Sequence, residues 1–255
     1  MKSQAVFLGT GTSQGVPVIG CNCQVCNSSN SKDVRLRSSL LLLHHELRIL
    51  IDIGPDFRAQ MLNADNTYIN AIILTHQHRD HTAGLDDIRP IFYLHKKPIE
   101  IYAERIVLDA LKSDFRYLFD GVDYPGKPQF IINEITNTTF YVKKVPIIPI
   151  RVMHYKLPVL GYRIADLAYV TDANYISESE KRKLLNLDIL IVNSLQKEKH
   201  ISHYNLEESL DLIKELKPKK AYLTHISHCM GLHDKINKEL PDNIFLAYDN
   251  LKIQF

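Results

Sequence analysis

Long apolar runs are missing from the sequence, and this absence limits where the protein can work. No run approaches the roughly 20 apolar residues of a membrane-spanning helix. Stretches such as Leu40–Leu43 have only the length of a strand. Residues 1–13 contain too short an apolar segment for a secretory signal peptide, so we expect a cytoplasmic protein without a membrane partner.

Strong charge of either sign is also missing. The formal net charge at pH 7 is +2, so the chain has little electrostatic attraction to a nucleic acid or a membrane surface. This near-neutral balance disfavours a nucleic-acid partner and favours a small substrate. A homodimer is compatible with the sequence.

Repeats, low-complexity tracts and linkers are absent as well, which favours a single domain over residues 1–255. A hydrophobic fraction of 45% is ordinary for a globular protein, and 255 residues can enclose one sizeable core. Short apolar strands are mixed with helical segments, among them an amphipathic helix predicted at residues 206–216. The pattern therefore predicts an α/β fold.

The main functional signal follows residues 71–74, an apolar stretch that predicts a buried strand. The next residues supply three imidazoles and one carboxylate: His76, His78, Asp80 and His81. In an extended backbone, residues two apart point the same way, so His76 and His78 can bind one cation while the other two face a second. Imidazole and carboxylate together suit zinc, manganese or iron. A solvated loop that happens to hold histidines is the alternative, which this spacing after a core strand disfavours.

Other candidate ligands also come directly after predicted strands, namely His154, Asp172 and His225. In open sheets, ligands bind beyond the carboxyl ends of strands, where loops from different strands converge. We therefore expect these side chains to meet around a pair of cations. Asp52 also ends a strand, and it is interpreted equally well as the support of a ligating histidine or as a turn or cap residue.

Three of the four cysteines lie close together in a polar loop: Cys21, Cys23 and Cys26. Cysteines this close form poor disulfides with each other, and in a reducing compartment they are more often metal ligands. Structural zinc takes four ligands, so a zinc-binding loop at residues 20–27 needs one more. The candidates are His228 and Cys229, and we prefer His228, which gives a Cys3His site. Three free thiols in a mobile loop are the alternative.

The motif H-x-H-x-D-H, followed at a distance by a histidine, an aspartate and a last histidine, resembles the metallo-β-lactamase superfamily over nearly the whole chain. Residues 9–13, Pro17, the three clustered cysteines and residues 224–228 look like its PhnP-type branch, the phosphoribosyl 1,2-cyclic phosphate phosphodiesterases and their relatives. The resemblance implies a four-layer αββα sandwich with two metals in a cleft at one edge.

The same resemblance implies a role for each candidate. It implies one metal held by His76, His78 and His154, and a second held by Asp80, His81 and His225, with both bridged by Asp172. It also implies a structural zinc, apart from the chemistry, held by Cys21, Cys23, Cys26 and His228. The active-site metal of this branch is described as manganese, and zinc is common in the superfamily.

These expectations lead to a hydrolase hypothesis. A metal-bridging hydroxide would attack a small or cyclic phosphodiester of the phosphoribosyl cyclic phosphate type. Relatives in the phosphodiesterase branches use a histidine before the penultimate helix to protonate the leaving group. Both His200 and His203 are available, and we prefer His203 because it directly precedes the helix that begins near Leu206. The catalytic candidates are therefore Asp80, His203 and His200.

Other functions are compatible with the same fold. Glyoxalase II-like relatives open thioesters or lactones, but these reactions need no additional general-acid histidine. An RNA 3′-processing nuclease would want a basic arm, and the sequence has no Gly/Lys-rich insertion of that kind. A zinc-stabilised binding protein with vestigial histidines would hold one metal per chain, whereas the hydrolase hypothesis predicts three. The basic candidates for contact with a phosphate are Arg35, Arg37, Lys156 and Arg163.

Overall fold

Two mixed β-sheets pack face to face in the computed structural model of the chain, which describes residues 3–121 and 126–255. The strands of the first sheet are β1 (Gln4–Gly9), β2 (Ser39–His44), β3 (Leu47–Ile51), β4 (Ala71–Ile73), β5 (Ile99–Ala103), β6 (Phe130–Glu134) and β15 (Lys252–Gln254). They lie in the order β15-β1-β2-β3-β4-β5-β6. Strands β3 to β6 run parallel to one another, whereas the pairs β15–β1, β1–β2 and β2–β3 are antiparallel.

The second sheet repeats this mixture of pairings. Its strands are β8 (Val145–His154), β9 (Leu157–Ile164), β10 (Leu167–Val170), β11 (Tyr175–Ile176), β12 (Ile189–Asn193), β13 (Lys220–Thr224) and β14 (Ile244–Leu246). They lie in the order β11-β8-β9-β10-β12-β13-β14, and β7 (Phe140–Val142) pairs with the start of β8. The run β10-β12-β13-β14 is parallel.

Helices connect the strands and cover the outer faces. They are α1 (Phe57–Asn63), α2 (Arg79–Thr82), α3 (Arg89–His95), α4 (Arg105–Asp114), α5 (Arg116–Phe119), α6 (Glu178–Lys181), α7 (Leu206–Leu216) and α8 (His233–Glu239). Short 3-10 turns occupy Ser31–Asp33, Leu85–Ile88, Arg182–Leu184 and His228–Met230. The amphipathic helix predicted at residues 206–216 is confirmed as α7, which begins with a capping box between Asn205 and Glu208. A loop is predicted at residues 119–128, and its residues 122–125 lie outside the described residues.

The layers follow from the alternation of side chains along strands that are buried on both faces. In β1, Ala5 and Phe7 point into the core between the sheets, while Val6 and Leu8 point outward beneath helices. Successive strand residues face opposite sides, so a continuous apolar strand is suited to burial on both. Alternate side chains of each strand therefore point into the core between the sheets.

Each sheet also has an outer core against its helices. On the first sheet, residues of the central strands pack against Phe57 of α1, Ile91 of α3 and Leu111 of α4. On the second sheet, the outward residues pack against Leu212 of α7 and Ile236 of α8. These contacts confirm the four-layer αββα arrangement. Among the described residues, no helix is both long and apolar enough to cross a membrane.

Candidate metal centre

The carboxyl ends of the parallel strands of both sheets meet at one edge of the sandwich. The loop after β4 contains the histidine-rich motif, with His78 in extended conformation just before α2. Asp52 follows β3, Asp172 follows β10 and His225 follows β13, each with a positive φ, of 64°, 55° and 54°. Asp and His enter this left-handed region more readily than most residues do. The abrupt turns direct these side chains into one cluster.

The first half of this cluster is built around two carboxylates. The Nε2 atom of His81 lies 3.2 Å from Oδ2 of Asp80 and 3.3 Å from Oδ2 of Asp172. The Nε2 atom of His225 lies 3.2 Å from Oδ1 of Asp172 and 3.9 Å from Oδ2 of Asp80. One ligand atom from each of these four residues lies within 4.8 Å of the others. Asp172 thus faces both imidazoles with separate oxygens.

The second half of the cluster is formed by three other imidazoles. The ring centre of His78 lies 4.6 Å from that of His76 and 5.2 Å from that of His154, and the rings of His76 and His154 are 5.8 Å apart. The ring of His76 also lies 4.3 Å from that of His81, which joins the two halves. The structure therefore brings together all seven side chains that the sequence predicts for a two-metal site.

Unpaired nitrogens make this donor set suitable for metal ions. Among the described residues, three buried Nε2 atoms, those of His76, His81 and His225, form no well-directed hydrogen bond, although carboxylate oxygens lie within 3.3 Å of the last two. Burial lowers the pKa of His76 well below its usual value, so its imidazole stays neutral with a free lone pair. Buried polar atoms without partners are rare in folded proteins, and a bound cation would satisfy these three. Neutral imidazole and carboxylate are ligands for zinc and manganese.

The electrostatic field of the site also favours a cation. Burial would lower the pKa of His81, but the carboxylates of Asp172, Asp80 and Asp52 raise it well above its usual value. Burial would likewise raise the pKa of Asp172, but His225 and His81 hold it well below its usual value. Three carboxylates around one imidazole therefore form a strongly negative pocket. A divalent metal is the natural counter-charge for such a pocket.

Asp52 supports His81 from behind. Its Oδ2 atom lies 2.7 Å from Nδ1 of His81, and its Oδ1 atom accepts the backbone N–H of Thr75 at 2.8 Å. The Thr75 hydroxyl lies 2.9 Å from both Asp52 Oδ2 and Nδ1 of His76. Of the two interpretations of Asp52 that the sequence allows, the geometry agrees with the support of a ligating histidine. Such contacts fix the tautomer that leaves Nε2 free.

Further supporting groups were not predicted from the sequence. The backbone carbonyl of Ser202 accepts from Nδ1 of His154 at 2.9 Å, and the Thr171 hydroxyl donates to Oδ2 of Asp172 at 2.6 Å. The amide of Asn193 bonds both the N–H and the carbonyl of Ala173, which holds the turn after Asp172. Thr75 and Thr171 could have been found, because each is a hydroxyl residue immediately before a predicted ligand. The other contacts depend on the tertiary fold.

Of the two general-acid candidates, His203 lies at the centre and His200 lies outside it. The Nε2 atom of His203 is 3.1 Å from Oδ1 of Asp172, and its ring stacks on His225 with centres 4.9 Å apart. His203 is buried, whereas His200 is exposed and contacts His203 through their Nδ1 atoms at 3.2 Å. Burial lowers the pKa of His203 to about 4, although Asp172 opposes the shift.

The cysteine cluster forms a second, separate donor set. The Nδ1 atom of His228 lies 3.2, 3.4 and 3.6 Å from the sulfurs of Cys21, Cys23 and Cys26. In a tetrahedral zinc site, a sulfur and a nitrogen ligand lie about 3.5 Å apart. The N–H of Cys26 donates to the Cys23 sulfur and, with His228, lowers the pKa of Cys23 to about 6. Cys229 is exposed and lies outside this cluster. The four residues fit a structural zinc.

The basic residues considered for phosphate contact differ in their surroundings. Arg35 is buried and donates to Thr10 and to the carbonyl of Ala247. Arg163 donates to three backbone carbonyls, and Arg37 pairs with Asp56 at 3.0 Å. Lys156 is exposed two residues after His154, with its Nζ 5.2 Å from the centre of the Tyr155 ring. Of the four, Lys156 is the one that follows a predicted ligand, His154, by two residues.

Comparison with known proteins gives the family. Residues 47–226 match the model of the beta-lactamase superfamily domain. A solved structure described as a new diphosphatase from the PhnP family is 37% identical, with a TM-score of 0.94, and the match covers 100% of this chain and 98% of that one. The structure of zinc-bound PqqB from Methylobacterium extorquens has a TM-score of 0.80 at 18% identity, covering 99% of this chain and 100% of that one.

A curated relative from Porphyromonas gingivalis is named octanoyltransferase. It is 39% identical over 252 residues, which are 98% of this chain and 51% of the relative. The chain thus spans about half the length of this relative. The domain match covers most of the chain, and the PhnP-family match covers all of it at 37% identity. The chain therefore belongs to the metallo-β-lactamase superfamily and, within it, to the PhnP family.

Proposed function

We propose that the protein is a metal-dependent hydrolase of small or cyclic phosphodiesters, acting without a nucleic-acid or membrane partner. The observation that carries this proposal is the position of His203, a buried imidazole 3.1 Å from Asp172 Oδ1 and additional to the seven predicted ligands. A phosphodiester with an alkoxide leaving group needs a proton donor, and a positioned imidazole can supply it. The PhnP-family structure at 37% identity is described as a diphosphatase, which supports chemistry at a bridged phosphate.

The donor sets suggest where metals would bind. We assign one divalent ion, manganese or zinc, to His76, His78 and His154, whose rings lie together. A second is assigned to Asp80, His81 and His225, with Asp172 shared. A structural zinc is assigned to Cys21, Cys23, Cys26 and His228. When bound, the active-site cations would lower the pKa of a water and offset the charge that builds on phosphorus.

The residues around the ligands would hold the site in one arrangement. Asp52 and the Ser202 carbonyl each accept from the Nδ1 atom of a ligating imidazole, so the Nε2 atoms of His81 and His154 face the reacting centre. These supports are formed before any substrate arrives. The metal-ligating side chains therefore need not rearrange during the reaction, which favours catalysis.

His203 would protonate the leaving oxygen. Its pKa of about 4 keeps it neutral at pH 7 because burial disfavours the charged form. A phosphodiester anion bound beside it would favour the imidazolium form. The proton is then delivered from His203 to the alkoxide as the phosphorus–oxygen bond breaks. His200, exposed on the far side of His203, stays the alternative donor.

The test compares two leaving groups in His203→Gln. Bis(p-nitrophenyl) phosphate releases a phenolate that needs no proton, whereas adenosine 2′,3′-cyclic phosphate releases an alkoxide that does. We expect kcat/KM to fall about 10²- to 10⁴-fold on the cyclic phosphate and much less on the nitrophenyl ester. Equal losses on the two substrates would contradict the role of His203. A selective loss in His200→Gln that exceeds the loss in His203→Gln would assign the acid to His200.

Hydrolysis of an acyl thioester is a second candidate, because the Porphyromonas gingivalis relative carries the name of an acyl transferase. Half of that relative lies outside the match, so the name alone does not assign its activity to this part. A thiolate also leaves without being protonated, so His203 would have no general-acid role in this reaction. Turnover of S-lactoylglutathione or an octanoyl thioester, with none of bis(p-nitrophenyl) phosphate, would favour this candidate.

A further inference from the structure

Three large apolar side chains are exposed close to the metal centre. They are Tyr155, Tyr175 and Ile201, which are 49%, 58% and 67% exposed. Each is within three residues of a residue in the centre: Tyr155 follows His154, Tyr175 is three residues after Asp172, and Ile201 is two before His203. Single exposed apolar residues are common on protein surfaces. Three of them on three separate segments, the turn after β8, the start of β11 and the loop before α7, are a candidate binding surface.

The backbone beneath these side chains is held by one residue, Asn174. Its Oδ1 atom accepts the backbone N–H of Tyr155 at 2.8 Å, and its Nδ2 donates to the carbonyl of Ile201 at 3.0 Å. Its own N–H donates to the carbonyl of Met153 at 2.8 Å. Asn174 therefore ties the loops after β8, after β10 and before α7 together. The apolar side chains are presented on a fixed backbone, which reduces the entropic cost of binding a ligand.

A positive charge lies close to the aromatic ring of Tyr155. The exposed Lys156 lies with its Nζ 5.2 Å from the centre of the Tyr155 ring. Lys156 thus covers one face of the half-exposed Tyr155 ring. A ring and a cation together, next to a site for a phosphodiester, match a ligand that has both a planar group and a phosphate. A purely aliphatic ligand would leave the cation without an anionic partner. A sugar phosphate without a base would have no planar group to contact the ring.

We infer that Tyr155, with Ile201 and Tyr175 beside it, forms a subsite for a planar aromatic group of the substrate, and that the substrate is of nucleotide type. This inference rests on the proposed function only in placing the phosphate at the metal centre. Stacking of a base on an aromatic side chain gives about 5- to 150-fold in affinity and tolerates different bases. Tyr155 thus determines specificity through a contact with the substrate and takes no part in the bond cleavage.

Binding to the metal-loaded protein tests the inference independently of turnover. Adenosine 5′-monophosphate and ribose 5-phosphate share a sugar and a phosphate and differ in the base, and their dissociation constants can be measured by titration calorimetry. For Tyr155→Ala we expect the affinity for adenosine 5′-monophosphate to fall about 5- to 150-fold, and that for ribose 5-phosphate to change less than about twofold. Tyr155→Phe keeps the ring and should keep the affinity.

Tyr141→Ala is the matched control. Tyr141 is 61% exposed and lies on β7, which pairs with the opposite end of β8 from His154, so its loss should change neither affinity. The inference is overturned if the unmodified protein binds the two ligands equally, or if Tyr155→Ala weakens both alike. A protein that prefers the nucleotide through Tyr155 but hydrolyses no phosphodiester would refute the proposed function and leave this subsite standing.

Discussion

Replacement of Asp52 by Asn tests how far the metal centre depends on its supporting carboxylate. Asp52 is fully buried and accepts from three donors. The backbone N–H of Thr75 bonds Oδ1, while the Thr75 hydroxyl and Nδ1 of His81 bond Oδ2. Asn has nearly the same shape but only one acceptor oxygen. If that oxygen keeps Thr75, the amide NH2 faces His81, whose Nδ1 must then accept. The ring proton would move to Nε2, where it blocks the lone pair that a metal needs.

The magnitude follows from comparable supporting contacts in metalloproteins. Loss of a carboxylate behind a ligating histidine lowers metal affinity about 10- to 100-fold, which is about 1.4–2.7 kcal/mol. In Asp52→Asn the tautomer change and the lost negative charge both weaken metal binding. We therefore expect a loss of affinity near the upper end of this range. Binding at the cysteine site should not change, because Asp52 takes no part in that donor set.

Competition with a chromogenic chelator measures this change, with metal content per chain determined by elemental analysis. Asp56→Asn is the matched control. Asp56 lies in the same segment as Asp52, pairs with Arg37, and is outside both donor sets. We expect this control to keep the metal affinity of the unmodified protein. Unchanged affinity in Asp52→Asn, or an equal loss in the control, would show that Asp52 does not hold His81 for a metal.

Three further predictions concern other parts of the chain. Burial and the neighbouring guanidinium of Arg35 lower the pKa of His233 from 6.5 to about 4, so only the unfolded chain takes up this proton between those values. This group should thus lower the free energy of unfolding by about 1–3 kcal/mol as the pH drops from 6.5 to 4. Denaturation of His233→Gln should show a fall that is smaller by this amount. Cys23→Ser should bind one metal fewer per chain by elemental analysis, whereas the exposed Cys229→Ser should bind the full number. A Cβ on Gly54 would lie 2.2 Å from the carbonyl oxygen of Asp80, so Gly54→Ala should cost about 1–3 kcal/mol in denaturant unfolding and weaken metal binding.

The elements that the sequence predicts well are those whose signals are local. Strand β4 reads as a short apolar run, and helix α7 combines an apolar stripe with an N-terminal capping box, so both lie where expected. The ligands of the centre were predictable for a related reason, because strand ends are visible in the sequence and a mixed sheet gathers them at one edge. A family resemblance supplied which ligand belongs to which metal.

Other features depend on contacts between distant segments and have no local signal. Ser177 and Glu180 predict a reciprocal helix cap, and the Ser177 side chain does accept from the Glu180 N–H. The Glu180 carboxylate, however, accepts the backbone N–H of Arg151 at 2.7 Å, because that strand donor would otherwise be unsatisfied. The contact of His203 with Asp172 likewise joins residues 31 apart, through a loop whose path the sequence does not reveal.

The most direct test of the central claim is anomalous diffraction from crystals of the metal-loaded protein, recorded at the manganese and zinc absorption edges. We expect two peaks within the cluster formed by His76, His78, Asp80, His81, His154, Asp172 and His225, and a third, zinc-specific peak among Cys21, Cys23, Cys26 and His228. A peak at the cysteines alone, with none in the histidine cluster at saturating metal, would contradict the proposed hydrolase.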